Sequence, residues 1–181
     1  MSLIVQKYGG SSLANAEAIR NVAQRVTETI KKGDQIVVVV SAMGDTTNEL
    51  RSLAQDVSGE IDPRELDILL STGELISCTL VSMALQSQGI NAISLSGGQA
   101  GILTDSSYGK ARIASVNPAR ILEELNNGKT VVVAGFQGIT DYMDITTLGR
   151  GASDLSAVAI AASVKAEQCE MYTDVDGIYT A

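Results

Sequence analysis

Two short runs of apolar, mostly β-branched residues constrain the fold of this chain more than any other feature of its sequence. They read IVVVV at residues 36–40 and TVVVAGF at residues 130–136. A strand with one exposed face alternates apolar and polar residues, whereas a strand buried on both faces is apolar throughout. Both runs are of the second kind, and they predict a mainly parallel sheet with helices on both faces.

The remaining elements are predicted from the same kind of pattern. The predicted strands are short apolar or β-branched runs that end in Gly, Ser or Asp, and between them apolar residues recur at spacings of three and four, as on one face of a helix. The expected fold class is α/β, a three-layer α/β/α sandwich with a mostly parallel central sheet. The predicted strands are residues 3–7, 36–42, 92–95, 130–136 and 170–173, and the predicted helices are residues 19–30, 66–86, 118–127 and 153–165.

Two of these helices carry signals at specific residues. Asn117 is expected to be the N-cap of a helix that has Pro118 at its first position and Gly128 just past its end. The Ser-Thr-Gly sequence at residues 71–73 is expected to break the long helix in its middle.

The composition excludes several classes of function. The chain has 181 residues, of which 45% are hydrophobic, so residues 1–181 are expected to form one domain with a real core. Its net charge of -8 argues against a broad basic surface for nucleic acid. The chain contains no histidine, which excludes a Ser-His-Asp triad and imidazole acid–base catalysis. A phosphate would have to be bound by a few local cations and backbone amides.

Neither the cysteines nor the apolar segments indicate a secreted or membrane protein. Cys78 and Cys169 are far apart in sequence and are expected to be reduced packing residues. The longest run of large apolar residues, at residues 36–40, is much shorter than the roughly 20 residues of a membrane helix. The first residues lack the charged head and long apolar stretch of a signal peptide. A cytoplasmic protein without membrane contact is expected.

The first predicted strand leads into the segment Lys7-Tyr8-Gly9-Gly10. In open parallel sheets, ligands collect where strands end and helices begin. Two glycines allow the backbone to approach an anion closely, and a lysine at the end of a strand supplies one positive charge for a phosphate. The alternative is a tight strand-to-helix turn with a solvated lysine.

A second polar segment, TTLGRGASD at residues 146–154, leads into the last predicted helix. The planar guanidinium of Arg150, flanked by glycines, suits a carboxylate or a phosphate. Ser153 and Asp154 stand at a helix start, where anions and N-caps belong. An ordinary N-cap after a flexible turn is the alternative.

Three further segments place polar side chains at expected ends of strands or helices. Glu74 follows the expected helix break and could receive an ammonium group, or it is a surface glutamate at a new helix start. Ser41 and Thr47 could supply hydroxyl contacts, or they cap a helix. Thr173, Asp174 and Asp176 could hold a ribose or bind a metal through water, or they belong to a plain Asp-Gly turn.

Taken together and in order, eight segments of the chain resemble the aspartokinases of the amino-acid kinase family. The segments KYGG, TTLGRG with the SD that follows it, and TDVDG are the most specific. The full set extends over essentially the whole chain and reads VQKYGGSS, VVVVSAMGDTTNEL, LLSTGELIS, QAGILTD, ARI, VVVAGFQGIT, TTLGRGASD and YTDVDGIYTA.

The resemblance implies transfer of the γ-phosphoryl group of ATP to the side-chain carboxylate of L-aspartate, on the route to lysine, threonine and methionine. It also implies a homo-oligomer and Mg²⁺ that is held mainly by the nucleotide phosphates. By matching motifs, it assigns catalysis to Lys7 and Asp154. It assigns substrate binding to Thr47, Glu74, Arg150, Gly151 and Ser153, and nucleotide binding to Lys7, Tyr8, Gly9, Gly10, Ser41, Thr173, Asp174 and Tyr179.

Within this set, the resemblance implies that Glu74 takes the α-ammonium group and that Arg150 pairs with a substrate carboxylate. In the family, the chain continues past YTA into further nucleotide contacts and regulatory ACT domains. Residues 1–181 are therefore expected to be an incomplete catalytic domain, truncated on its C-terminal side and inactive alone. The alternatives are a non-catalytic aspartate-binding or assembly domain of the same fold, and another amino-acid kinase.

Overall fold

The computed structural model describes residues 2–149 and 151–173. The described strands are β1 (Leu3–Tyr8), β2 (Gln35–Val40), β3 (Ala92–Leu95), β4 (Ile102–Thr104), β5 (Ile113–Val116), β6 (Thr130–Ala134), β7 (Gln137–Ile139), β8 (Ile145–Thr147) and β9 (Gln168–Tyr172). The described helices are α1 (Ala16–Lys31), α2 (Thr46–Val57), α3 (Pro63–Ser87), α4 (Ala119–Asn126) and α5 (Ala152–Val164).

Five strands form the central sheet, in the order β3-β6-β2-β1-β9, and every neighbouring pair is parallel. Lys7 of β1 lies beside Val39 of β2 on one side and beside Met171 of β9 on the other. The five predicted strands are confirmed, with small differences at their ends. The sheet therefore brings the carboxyl ends of β1, β2 and β6 to one edge.

Helices cover both faces of this sheet, which explains why the sequence of β2 does not alternate. Val38 and Val40 point to the face covered by α1 and α3, and Val37 and Val39 point to the face covered by α4 and α5. All four side chains are 0% exposed. Burying each of them stabilises the fold by about 1.5–3 kcal/mol. The predicted three-layer α/β/α sandwich is confirmed.

A second sheet of four short strands, in the order β5-β4-β7-β8, has no counterpart in the predicted elements. The pairs β4–β5 and β7–β8 are antiparallel, and β4–β7 is parallel. Its strands have three or four residues, which is too short for a period to show in the sequence. This sheet matters for function because β8 leads directly into residues 148–154.

Helix α3 is continuous from Pro63 to Ser87, so the predicted break at residues 71–73 is wrong. Gly73 lies inside the helix, at the point where α3 passes the loop after β2. A Cβ atom on Gly73 would lie 3.0 Å from the Cβ of Ala42. The glycine therefore permits close packing of α3 on this loop, and it does not interrupt the helix.

The helices α4 and α5 begin one residue away from their predicted positions. Helix α4 starts at Ala119 with Pro118 as its N-cap, so Pro118 is not the first helical residue. Asn117, the predicted N-cap, precedes the N-cap by one residue, and its Oδ1 accepts a hydrogen bond from the Ala119 N–H at 3.1 Å. Helix α5 starts at Ala152, and its N-cap is Gly151 with φ 74°.

By length and composition alone, α3 is long and apolar enough to cross a membrane. The run-length argument overlooked it because polar residues interrupt its apolar sequence. Half of its most apolar window is buried inside the protein, as in the core helix of a globular fold. The buried residues of α3 include two carboxylates, Asp67 and Glu74.

The two cysteines are free thiols in different surroundings. Cys78 is buried on α3, where its Sγ donates to the Val132 carbonyl at 3.2 Å. Burial raises the pKa of this thiol to about 12. Cys169 is exposed on β9. The predicted packing role is therefore confirmed for Cys78 and wrong for Cys169.

Candidate active site

A cavity of about 420 Å³ lies at the edge where the parallel strands of the central sheet end. Open parallel sheets bind ligands at this position because backbone N–H groups and the positive ends of helices point there. The cavity is lined by the turns after β1 and β2, by α3, and by the first turns of α2 and α5. Residues singled out from the sequence contribute to its walls: Lys7, Gly10, Ser41, Thr47, Glu74, Gly151, Ser153 and Asp154.

Lys7 and Asp154 form an ion pair in this cavity. The strand period of β1 places Lys7 on the same face as Val5, which packs in the cluster beneath α5. The Lys7 Nζ reaches the first turn of α5 and lies 2.7 Å from the Asp154 Oδ1. The Lys7 side chain is 12% exposed and that of Asp154 is 55% exposed. The structure thus holds a largely desolvated ammonium group where a phosphate could replace the exposed carboxylate.

The turn after β1 packs closely on the loop after β2. The Gly44 N–H donates to the Gly10 carbonyl oxygen at 3.0 Å. A Cβ atom on Gly10 would lie 2.8 Å from the Ala42 carbonyl oxygen, so a larger residue does not fit without a backbone shift. A Cβ atom on Gly9 would lie 3.6 Å from the Lys7 Nζ, an ordinary contact distance. Gly10 lines the cavity, whereas Gly9 is not among its lining residues.

Glu74 lines the cavity and has a buried carboxylate oxygen without a hydrogen-bond partner among the described residues. It lies in the middle of α3 and is 3% exposed, so the surface glutamate at a helix start is the wrong alternative. Its Oε1 accepts a hydrogen bond from the Ala42 N–H at 3.0 Å, while its Oε2 has no partner among the described residues. Burial raises the pKa of Glu74 to about 7. A cationic ligand would supply the donor that this buried acceptor lacks.

Two helices start at the cavity. Thr47 belongs to the first turn of α2 and Ser153 to the first turn of α5, and both line the cavity. Asp45, the N-cap of α2, makes no side-chain capping hydrogen bond, and Gly151, the N-cap of α5, has no side chain that could make one. The first N–H groups of these helices are therefore suited to an anionic group, which the positive end of each helix dipole also favours.

Sequence reasoning missed two charged residues in or behind the cavity wall. Arg51 lines the cavity one helical turn after Thr47. Asp67 is fully buried on α3 and accepts hydrogen bonds from the N–H groups of Gly109 and Thr147 and from the Thr147 hydroxyl. Two signals in the sequence could have identified these residues. Arg51 is four residues after Thr47, and Asp67 is the single acidic residue in the apolar sequence LDILL.

Tyr8 and Thr173 lie at a different cavity, of about 320 Å³. Since neighbouring residues of a strand point to opposite faces, Tyr8 faces α1 while Lys7 faces α5. The Tyr8 ring stacks on Tyr172 with the ring centroids 4.8 Å apart. The structure thus separates these two predicted nucleotide-binding residues from Lys7. The predicted site residues Arg150, Asp174 and Tyr179 lie outside the described part of the chain.

Comparisons with known proteins are consistent with this geometry. The profile described as "Amino acid kinase family" matches residues 2–181. The aspartokinase of Mycolicibacterium smegmatis is 57% identical over 182 residues, which cover 100% of this chain and 43% of the relative. The chain therefore spans less than half the length of the curated relatives that it matches.

Solved structures share the fold as well. The aspartate kinase from Synechocystis matches with a TM-score of 0.83 and 50% identity, over 96% of this chain and 29% of that one. E. coli aspartokinase III, solved in complex with aspartate and ADP, matches with a TM-score of 0.85 and 25% identity, over 98% of this chain and 50% of that one. The resemblance to aspartokinases is thus confirmed, and the chain belongs to the amino acid kinase family.

Proposed function

We propose that the cavity binds L-aspartate together with the phosphates of ATP, and that the chain is part of an aspartokinase that phosphorylates L-aspartate. One observation carries this proposal: Lys7 and Glu74 line the same cavity. Lys7 is ion-paired with Asp154, and Glu74 has a carboxylate oxygen without a partner among the described residues. A substrate that carries both an ammonium group and a phosphoryl-accepting carboxylate complements these charges. E. coli aspartokinase III was solved with aspartate and ADP, which supports the same ligands here.

The aspartate is proposed to lie between α3 and the two helix starts. Its α-ammonium group would donate to the Glu74 Oε2, which has no partner among the described residues. Its carboxylates would accept hydrogen bonds from the first turns of α2 and α5, at Thr47, Gly151 and Ser153. Arg150 is proposed to pair with one carboxylate.

The chemical step is proposed to need positioning and charge stabilisation and little proton transfer. The ionised side-chain carboxylate of aspartate forms a bond to the γ-phosphorus, and the bond from that phosphorus to ADP breaks with its electrons leaving on ADP. Lys7 neutralises charge that develops on the transferred group, while Asp154 orients the ammonium. The absence of histidine fits such a reaction.

The phosphates of the nucleotide are proposed to lie near Lys7 and the turn of Gly9 and Gly10, beside Ser41. Among residues 2–149 and 151–173, no group of three or more acidic, histidine or cysteine side chains could hold a metal ion. Mg²⁺, which would neutralise phosphate charge, is therefore proposed to be held mainly by the phosphates. The other proposed nucleotide contacts are Tyr8, Thr173, Asp174 and Tyr179, and a nucleotide that reaches Tyr8 extends around the end of β1.

Calorimetric titration of the complete protein with L-aspartate, and separately with ADP, tests the proposal. Glu74→Gln should weaken aspartate binding by about tenfold or more and change ADP binding by less than about twofold, because it removes only the charge that meets the ammonium. Glu123→Gln, on the exposed face of α4, is the matched control. Equal weakening of both ligands by Glu74→Gln would contradict the assigned role.

A coupled kinase assay separates the two alternative functions. A non-catalytic aspartate-binding or assembly domain would bind aspartate without turnover in the complete protein. Another amino acid kinase would turn over with a different acceptor and would leave aspartate unbound. The 181-residue chain assayed alone is proposed to show no turnover, and a rate comparable to that of the complete protein would contradict this.

We also propose that residues 1–181 act as a single domain, that the protein self-associates, and that it works in the cytoplasm. Residues of β1 and α5, near opposite ends of the described chain, share one hydrophobic cluster, which supports the single domain. Ile76, Leu80 and Met83 expose an apolar strip on α3, which supports self-association. Sedimentation as a strict monomer at high concentration would contradict the latter.

A further inference from the structure

We infer that Asp67 is a positioning residue, which anchors the cavity wall after β8 to the same helix that carries Glu74. The inference rests on the proposed binding of aspartate. Asp67 does not line the cavity and would touch no ligand. Its proposed role is to hold two backbone segments in place so that both sides of the aspartate site keep their separation.

The hydrogen bonds of Asp67 show the anchor directly. Asp67 is 0% exposed. Its Oδ2 accepts from the Thr147 N–H at 2.8 Å, and its Oδ1 accepts from the Thr147 hydroxyl at 2.6 Å. The Gly109 N–H donates to both oxygens, at 3.0 and 2.9 Å. A buried carboxylate is tolerated only where donors surround it, so this arrangement disfavours any shift of the donors.

The anchored residues adjoin the cavity. Gly109 lines it, and so do Leu148 and Gly149, which follow Thr147 immediately. The Thr147 carbonyl oxygen also accepts from the Ala111 N–H at 3.0 Å, which joins the two anchored segments to each other. A displacement of Thr147 would therefore move the cavity wall and the start of the segment that leads to Gly151.

One face of α3 connects this anchor to the proposed ammonium site. Asp67 and Glu74 are seven residues apart, which is about two helical turns, so they lie on the same side of the helix. Between them, the Ser71 carbonyl oxygen accepts a buried hydrogen bond from the Gln137 Nε2 at 2.8 Å. The helix thus sets the distance between Glu74 and the segment after β8, which are the two proposed sides of the aspartate site.

Two neighbouring threonines of β8 provide the test. Thr147→Val in the complete protein removes the hydroxyl bond to Asp67 and keeps the N–H bond. Thr146→Val is the matched control: it is equally buried, and it loses a hydroxyl contact to the Thr104 Oγ1 at 2.6 Å instead. Thr147→Val should raise the aspartate dissociation constant about tenfold and the ADP constant less than about twofold, whereas Thr146→Val should change both less than about twofold. Equal effects of the two variants on aspartate binding would overturn the inference.

Amide hydrogen exchange without ligand keeps this test separate from the proposed function. The N–H groups of residues 109 and 147 should exchange faster in Thr147→Val than in Thr146→Val, even if both variants lose similar stability. Asp67→Asn, where it folds, should show the same pattern with larger changes. If the exchange rates at both positions were the same in Thr147→Val as in Thr146→Val, the proposed role of Asp67 as an anchor would be wrong. A wild-type protein that binds no aspartate would overturn the proposed function, while the exchange at positions 109 and 147 would still decide the role of Asp67 as an anchor.

Discussion

The Lys7 ammonium and the Asp154 carboxylate, 2.7 Å apart, connect the end of β1 to the first turn of α5. The lysine is 12% exposed and the aspartate is 55% exposed. Because water screens the exposed partner, the pair contributes little to stability, and its main effect is to orient the lysine. A phosphate can therefore replace the Asp154 carboxylate beside Lys7 without loss of a strong structural interaction.

Lys7→Met should lower the turnover of the complete protein by about two to three orders of magnitude, because a charge aimed at a transferring phosphoryl group stabilises the transition state by about 3–4 kcal/mol. The free energy of unfolding should change by less than about 1 kcal/mol, since the Asp154 left behind is exposed. Steady-state kinetics and urea unfolding check both, with the exposed Lys32→Met as control. Turnover within about threefold of wild type would show that Lys7 does not stabilise the transferring phosphoryl group.

The free energy of unfolding of the wild type should decrease as the pH rises from 4.5 to about 7, because of Glu74. Burial holds the pKa of Glu74 near 7, above its ordinary value of 4.5. The folded state therefore keeps a proton that the unfolded chain releases between these values, and stability should fall by up to about 3 kcal/mol across this range and stay level above it.

Glu74→Gln removes this titration. The variant should therefore gain about 2–3 kcal/mol relative to wild type between pH 5 and pH 8. Urea unfolding at the two pH values measures the change, with Glu123→Gln, a substitution at an exposed residue, as the control. A difference between Glu74→Gln and wild type that does not vary with pH would mean that Glu74 titrates normally.

Aspartate binding should couple to the same proton. The ligand-free Glu74, with its pKa raised to about 7, must ionise before it can pair with an ammonium group. Affinity for aspartate should therefore increase about tenfold from pH 6 to pH 8, and binding below pH 7 should release a proton. Calorimetry in two buffers of different ionisation enthalpy detects that proton. Loss of both effects in Glu74→Gln would assign them to this carboxylate, and their persistence would assign them elsewhere.

The two glycines after β1 should respond differently to alanine. Gly10→Ala should destabilise the fold by about 1–3 kcal/mol, because its Cβ would lie 2.8 Å from the Ala42 carbonyl oxygen and must push two backbone segments apart. Gly9→Ala is the matched control, since its Cβ would lie 3.6 Å from the nearest atom, the Lys7 Nζ. Thermal unfolding of both variants checks the contrast. Equal stability of the two would mean that the turn tolerates the extra methyl group at either position.

Local pattern was enough to predict the central sheet and its helices. Ile36 and the four valines that follow it are buried on both faces of β2, and an apolar run without alternation is visible in the sequence alone. The predicted break in α3 was wrong for a tertiary reason. Gly73 interrupts a helical pattern in the sequence, but in the fold it allows the loop at Ala42 to approach, and no local signal distinguishes the two cases.

The sequence by itself determined which segments stand at the ends of strands, and with them most of the described side chains around the cavity. Only the tertiary structure decided the burial, the hydrogen bonds and the pKa values of these side chains. The pKa of Glu74 depends on burial and on a hydrogen bond from Ala42, and the N–H and hydroxyl of Thr147 are hydrogen-bonded to Asp67. These partners are distant along the chain, and desolvation and hydrogen bonding act through space, so neither effect is encoded in a local pattern of residues.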